Sequence, residues 1–386
     1  MPSRITTDNI RFIILIGMML SIFTPAGFQP LKYLGIVIII VAVLLMTPRI
    51  ELDQITSASL FCLFILTGRI TIQFFSNEIN DGTMRSFFLQ AMVFVCVILV
   101  HNSVIELDDW NWVFLRFSIY IFIIGTLLLV KGSLVISYYF SSLFGNYLLA
   151  AFGMTMILFQ SNEKKRARTF ILLLMIALFV YTILSEMRSA VVGEVIGFAF
   201  MLYTSFKNEG KRVNRLMFIL MILICYLIPY FYLELYQPGS DLSYKLSSWL
   251  QDTVYNVTGS RFFSGRNTLW LNIIPVLSNS FLLGRGVGFD PGQIFDTNIS
   301  AHNLFLFILL EQGIIGLISF VALLFVFWDH FYKQEQNKTK FAVQGFLVAI
   351  MIQQTFSLGL VGGKGAFSII CWCVLTALTK RREITK

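Results

Sequence analysis

The chain has 386 residues, 57% of them hydrophobic and 13% charged, with a mean hydropathy of +0.77. That balance excludes a water-soluble domain, whose single core could not absorb so much apolar surface. The formal net charge of +8 raises the question of a nucleic-acid partner, which the placement of the basic residues answers below.

Apolar runs of roughly 17 to 25 residues, the length that crosses a bilayer as a helix, recur almost end to end. They fall at about 11–23, 31–46, 56–75, 85–100, 112–130 and 141–159, then at 169–185, 189–206, 214–233, 303–328, 340–360 and 366–379. The alternating segments of about ten residues that a transmembrane barrel needs are missing. The fold class expected is an all-α integral membrane protein, one polytopic membrane domain over residues 1–386 with about 12 transmembrane helices. The first apolar run has no small-residue cleavage site followed by a soluble domain and reads as a retained span. Cys62, Cys96, Cys225, Cys371 and Cys373 all lie in apolar runs and read as packing residues.

Short basic segments follow the sixth span (Lys164, Lys165, Arg166, Arg168), the eighth (Lys207, Lys211, Arg212, Arg215), the tenth (Lys333, Lys338, Lys340) and the last (Lys380, Arg381, Arg382, Lys386). All four fall on one side when the span count is even, so both termini are expected in the cytoplasm. The basic surplus is thus a topology signal, and no nucleic-acid partner is expected. The opposite, outer side receives the tight connection Ser185-Glu186-Met187-Arg188-Ser189, the loop 234–301 between the ninth and tenth spans, and the turn 361–365. Within that large loop, 241–257 and 266–277 have apolar residues near helical spacing and read as helices lying on the membrane surface, the second with a kink expected at Pro275.

The candidate functional residues collect on this outer side. Arg188 beside Glu186 is either a snorkelling arginine paired with its neighbour or a fixed guanidinium for an anionic headgroup, since the planar fork donates two parallel hydrogen bonds to phosphate. Arg266, with Ser264 as cap, begins the second surface helix. It is either a solvated helix-end arginine or an anion ligand, since a cation there opposes the macrodipole, a conflict that an anion bound between the guanidinium and the free amides would relieve. Arg261 and Arg285 are secondary anion contacts or surface charges. Gly284-Arg285-Gly286-Val287-Gly288 lacks the spacing and flanking strand of a nucleotide loop and reads as a tight turn that lets the loop re-enter beside the spans. Ser300 is the expected cap of the tenth span, which puts His302 in its first turn, either as a residue that caps the helix or marks the interface or as a neutral imidazole suited to a general base. Arg69, within the third span, either snorkels outward or faces the bundle interior. The outer carboxylates Glu234, Asp241, Asp252, Asp290 and Asp296 are scattered, so neither a metal nor another cofactor is expected.

Three pieces together resemble a known family: Leu184-Ser185-Glu186-Met187-Arg188-Ser189-Ala190 at a span junction; Gly265-Arg266 followed by Trp270 and the glycine turn at 284–288; and Ala301-His302-Asn303-Leu304 leading to Glu311-Gln312-Gly313-Ile314-Ile315-Gly316. Over about 180–328 the chain is similar to the O-antigen polymerase and O-antigen ligase superfamily, multispanning bacterial glycan-assembly enzymes of the GT-C type. The resemblance implies a place in the bacterial cytoplasmic membrane with the active site facing the periplasm. It implies an undecaprenyl-diphosphate-linked oligosaccharide donor, a lipid-linked glycan acceptor and a chain-length regulator as partner, besides the membrane lipids themselves. It makes Arg188 and Arg266 the donor-diphosphate ligands and His302 the base or acceptor-orienting group, with Asn303 beside it, in a metal-independent transfer that inverts the anomeric centre. A polymerase is the favoured expectation. A ligase to lipid A core is the alternative within the superfamily, and a lipid-linked glycan flippase, with Arg69, Glu194 and Gln353-Gln354 lining its pathway, the alternative from another class.

Overall fold

A computed structural model describes residues 7–22, 29–76, 78–130, 138–185, 187–206, 211–237, 241–258, 266–278, 280–289, 301–333, 339–357, 360 and 365–379. Among these residues there are fourteen helices and no strand. They are α1 (Thr7–Ile22), α2 (Gln29–Leu45), α3 (Gln54–Phe75), α4 (Asp81–Asn102), α5 (Leu107–Val130), α6 (Tyr138–Ser161) and α7 (Lys165–Leu184). The second half holds α8 (Arg188–Phe206), α9 (Lys211–Tyr236), α10 (Asp241–Thr258), α11 (Arg266–Ser278), α12 (Leu304–Lys333), α13 (Lys340–Gln354) and α14 (Gly365–Ala377).

Each of the twelve expected spans coincides with a helix, and α10 and α11 coincide with the two expected surface helices. Among the described residues, seven helices are long and apolar enough to cross a membrane by length and composition. Helices suit that setting because every backbone N–H and C=O is satisfied within the segment. The bundle's outside carries exposed apolar side chains such as Phe64, Leu173, Ile219 and Ile318. The inside buries Trp110, Trp328 and Trp372 completely. This is the inverse of a soluble surface, and the chain is a multi-pass membrane protein. The five cysteines are buried, as packing residues should be, and Cys96 Sγ lies 3.4 Å from Cys373 Sγ.

Two elements differ from expectation. The segment at 340–360 stops being helical at Gln354, where Thr355 caps it. More consequentially, α12 is broken: Gly313 has φ 67 and ψ −166, which splits the helix into 304–312 and 314–333. Such a break leaves carbonyls of the preceding turn and an amide of the following one without helical partners. The segment 280–289 supplies them. Arg285 N donates to Leu310 O at 2.5 Å and Gly286 N to Glu311 O at 3.1 Å, while Ile314 N donates to Phe281 O at 2.9 Å. The segment is therefore a return loop wedged into the broken helix, whose freed backbone groups it completes.

The helices define two ends. At one, His101 on α4 bonds Asp53 through Nε2 at 2.5 Å and Thr379 Oγ1 through Nδ1 at 2.6 Å, and His330 on α12 bonds the Thr379 carbonyl at 2.5 Å. Asp329 pairs with Lys333 and Arg215 at the same end. The other end holds the start of α12, the end of α13 and the return loop.

Candidate active site

Antiparallel packing of α8 on α13 brings Arg188 to that second end. The two helices touch backbone to backbone: a Cβ on Gly193 would lie 2.5 Å from Ala349 O, and one on Gly197 would lie 2.4 Å from Gly345 O. Higher numbers on α8 thus meet lower numbers on α13, so Arg188, the first residue of α8, is level with Thr355 and Phe356 just past the end of α13. Glu186, the partner weighed for it, lies outside the described residues, as do Arg261, Ser264 and Ser300.

Arg266 opens α11 and lies over the Phe356 ring at 6.0 Å from its centroid. Phe356 also stacks on Trp270 of α11, with centroids 6.0 Å apart and planes 29° apart, and Tyr232 of α9 meets both rings edge-on. Trp270, fully buried, donates its indole N–H to Ala301 O at 2.8 Å. The aromatic floor so formed carries a guanidinium on one side, by a cation–π contact, and fixes the residue before His302 on the other. Pro275 lies within α11, which runs on to Ser278.

The position of His302 departs from expectation. α12 begins at Leu304, and its cap is Asn303, whose Oδ1 accepts from Leu306 N at 3.0 Å. His302 is therefore outside the helix, not in its first turn, and its backbone is left-handed with φ 47. His302 is thus not held in the first turn against the helix macrodipole. What replaces it is clamping: Ala301 is held by Trp270, and Asn303 donates Nδ2 to Thr355 O at 3.0 Å. A non-glycine residue in the left-handed region costs energy and persists where its surroundings fix it, a pattern that concentrates at functional sites. Asn303, at 1% exposed, is thus the residue that binds the start of α12 to the end of α13. Arg188, Arg266, His302 and Asn303 share one end of the bundle.

The glycine segment turns out to be saturated. Gly284 N donates to Ser280 O, Arg285 N to Leu310 O, Gly286 N to Glu311 O, Val287 N to Gln73 Oε1, Gly288 N to Glu311 Oε1 and Phe289 N to Gly286 O. With these six amides spent inside the protein, 284–289 cannot cradle a phosphate with its backbone, and the turn reading holds. Arg285 is exposed at its tip. Arg69 faces inward to this loop and donates Nη2 to Gly284 O at 3.0 Å, which decides between its two orientations. Its position is behind the return loop.

Sequence reasoning did not find Phe356, Tyr232, Gln73, Ser86 or Gln90. Aromatic and amide residues inside apolar runs have no local mark that separates a site wall from ordinary packing. Glu194 and Gln353-Gln354, considered as a transport pathway, bond inside the bundle: Thr182 Oγ1 donates to Glu194 Oε1 at 2.9 Å, Gln353 Nε2 of α13 to Asn146 of α6 and Gln354 Nε2 to Gln353. Among the described residues no three His, Cys, Asp or Glu side chains are grouped as a metal ion would need.

Fold and site together define a polytopic helical membrane protein with two arginines and a conformationally clamped histidine at one end of the bundle. Residues 172–321 match the protein family described as O-antigen ligase. The matched stretch runs from α7 into α12 and contains Arg188, Arg266, His302 and Glu311. No curated protein matches the chain.

Proposed function

We propose that the chain is a membrane glycosyltransferase that polymerises undecaprenyl-diphosphate-linked repeat units of O-antigen or a related polysaccharide, with its active site on the outer face of the cytoplasmic membrane. The observation that carries this reading is the coincidence of the family match over 172–321 with the shared end of Arg188, Arg266, His302 and Asn303. The reading takes both termini as cytoplasmic, α10 and α11 as a lid at the membrane surface, and the architecture as GT-C-type with about twelve spans.

In the proposed reaction an acceptor hydroxyl oxygen bonds to the anomeric carbon of the donor as the bond from that carbon to the diphosphate oxygen breaks. The hydroxyl proton passes to His302, and the electron pair leaves with the diphosphate. Backside attack inverts the anomeric centre. Arg188 and Arg266 stabilise the charge that develops on the leaving group, which in a site shielded from water is worth several kcal/mol without a metal. The Phe356 ring beneath Arg266 limits the directions its fork can take.

The family description favours a second reading, in which the acceptor is lipid A core and the enzyme a ligase. Purified protein in proteoliposomes, given lipid-linked repeat units as donor and, separately, more repeat units or lipid A core as acceptor, distinguishes the two by product. His302→Ala should reduce transfer by about 100- to 10,000-fold, the usual worth of a general base, while the protein stays inserted and abundant. Transfer at the wild-type rate would refute the assignment of the base, and transport of the donor across the bilayer without extension would refute the enzyme reading.

A further inference from the structure

Glu311 is a carboxylate inside the bundle, 1% exposed, to which the mechanism gives no step. A buried charge is costly unless its oxygens are saturated, so its residue type calls for an explanation. Its oxygens receive donors from two elements besides its own helix. Gly288 N of the return loop reaches Oε1 at 2.8 Å, Ser86 Oγ of α4 reaches Oε1 at 3.1 Å, and Gln90 Nε2 of α4 reaches Oε2. Gln312 Nε2 closes the set on Gln90 Oε1 at 2.7 Å. Gly288 has no slack, since with φ +78 its Cβ position lies 2.5 Å from Thr83 Cα. The next residue, Phe289, packs into the cluster of Tyr232, Trp270, Ala301, Leu310 and Phe356. A chain of contacts thus runs from Glu311 through Gly288 and Phe289 to the floor that carries Arg266 and fixes Ala301 beside His302.

We infer that Glu311 is a positioning residue for the transfer reaction: it locks the return loop to α4 and to the broken helix, and so sets the placement of Arg266 and His302 from behind. The inference rests on the reading of that end as the active site. An acceptor-only group is required at this point because all three partners donate, whereas Gln90 is an amide because it donates to Glu311 and accepts from Gln312.

That polarity yields a reciprocal test in the full-length protein in proteoliposomes. Gln90→Glu sets two carboxyl groups against each other, a clash that amide rotation cannot relieve and that a shared proton relieves only at low pH, so turnover is read at alkaline pH. Displacement of a reacting group by about 1 Å costs roughly 100-fold, so kcat should fall by about that factor with donor KM little changed. Adding Glu311→Gln restores the pattern, because the new amide accepts from Gly288 and Ser86 and donates to the carboxylate at 90, which also accepts from Gln312. The double variant should recover most of the lost turnover. Ser86→Ala, which removes one donor to Glu311 and the acceptor of a second Gln90 Nε2 bond, should lower kcat partially. Hydrogen exchange of the amides at 284–289 is measured in parallel, and should quicken in Gln90→Glu and slow again in the double variant. A double variant as impaired as Gln90→Glu, or Ser86→Ala with unchanged kcat, overturns the inference. If the wild-type protein transfers no glycan, the active-site reading fails and the inference falls with it. An intact exchange pattern would then show that the error lay in the reaction and not in the lock.

Discussion

Gly284→Ala tests whether the return loop is wedged into α12 as tightly as its bonds imply. Gly284 has φ +72, where an L side chain costs about 1 to 2 kcal/mol. The added Cβ would lie 2.6 Å from Glu311 C, 2.6 Å from Gly313 N and 2.7 Å from Gln312 N. These are backbone atoms at the helix break and cannot rotate away, so overpacking adds about 1 to 3 kcal/mol. A loop that shifts to escape loses the Arg285 and Gly286 amide bonds, each worth about 1 kcal/mol net. These costs are alternatives in part, and the expected loss is about 3 to 5 kcal/mol, a large share of the roughly 5 to 15 kcal/mol that holds a typical fold. Intrinsic tryptophan fluorescence in detergent micelles gives the Tm. Gly68→Ala serves as the control, because Gly68 is in the interior of α3 with no atom within 4 Å of its Cβ position. Its Tm should stay or rise slightly, alanine being favoured over glycine by up to about 1 kcal/mol in a helix. A Gly284→Ala protein that melts with the wild type would refute the wedge.

Asn303→Ala should destabilise the start of α12 by about 1 to 2 kcal/mol through loss of the cap and leave Thr355 O without its donor, whereas Asn303→Asp keeps the cap but sets a buried carboxylate oxygen against Thr355 O. Thermal unfolding should therefore place both variants below the wild type, and equal Tm values would remove Asn303 as the tie between α12 and α13. At the other end, burial works against the Asp53 carboxylate, but bonds from the Thr56 amide and the His101 ring outweigh it and hold the pKa below its ordinary value. A depressed acid contributes stability in full above its unfolded pKa of about 3.9 and loses it as pH falls through the lower folded value. Tm measured from pH 6 down to pH 3 should fall less steeply in Asp53→Asn than in the wild type, and parallel curves would discount the contact.

The helices were readable in the sequence because their cause is local. A run such as Leu172 to Leu184 must satisfy its own backbone groups in lipid and can only be helical there. The basic segments after the sixth, eighth, tenth and last spans set a common side, and that alone carried Arg188 to the end where Arg266 and His302 lie. The same reasoning misplaced His302 by treating Ser300 as the cap, because both Ser300 and Asn303 are good caps locally. The choice fell to Asn303, whose other amide group finds Thr355 O across the bundle.

The sequence by itself determined that this is a polytopic helical membrane protein, where its helices run, and which arginines and histidine are candidates for the reaction. Periodicity, hydropathy and charge act within one segment at a time, and those properties follow from them. Only the tertiary structure decided that α12 breaks at Gly313, that the glycine turn spends its amides on that break and not on a phosphate, that Phe356 stacks on Trp270 below Arg266, and that Glu311 ties the return loop to α4. Each of these depends on a partner far along the chain, Glu311 on Ser86 and Gln90 most clearly. A glycine or a glutamate in an apolar run does not indicate which distant donor will complete it.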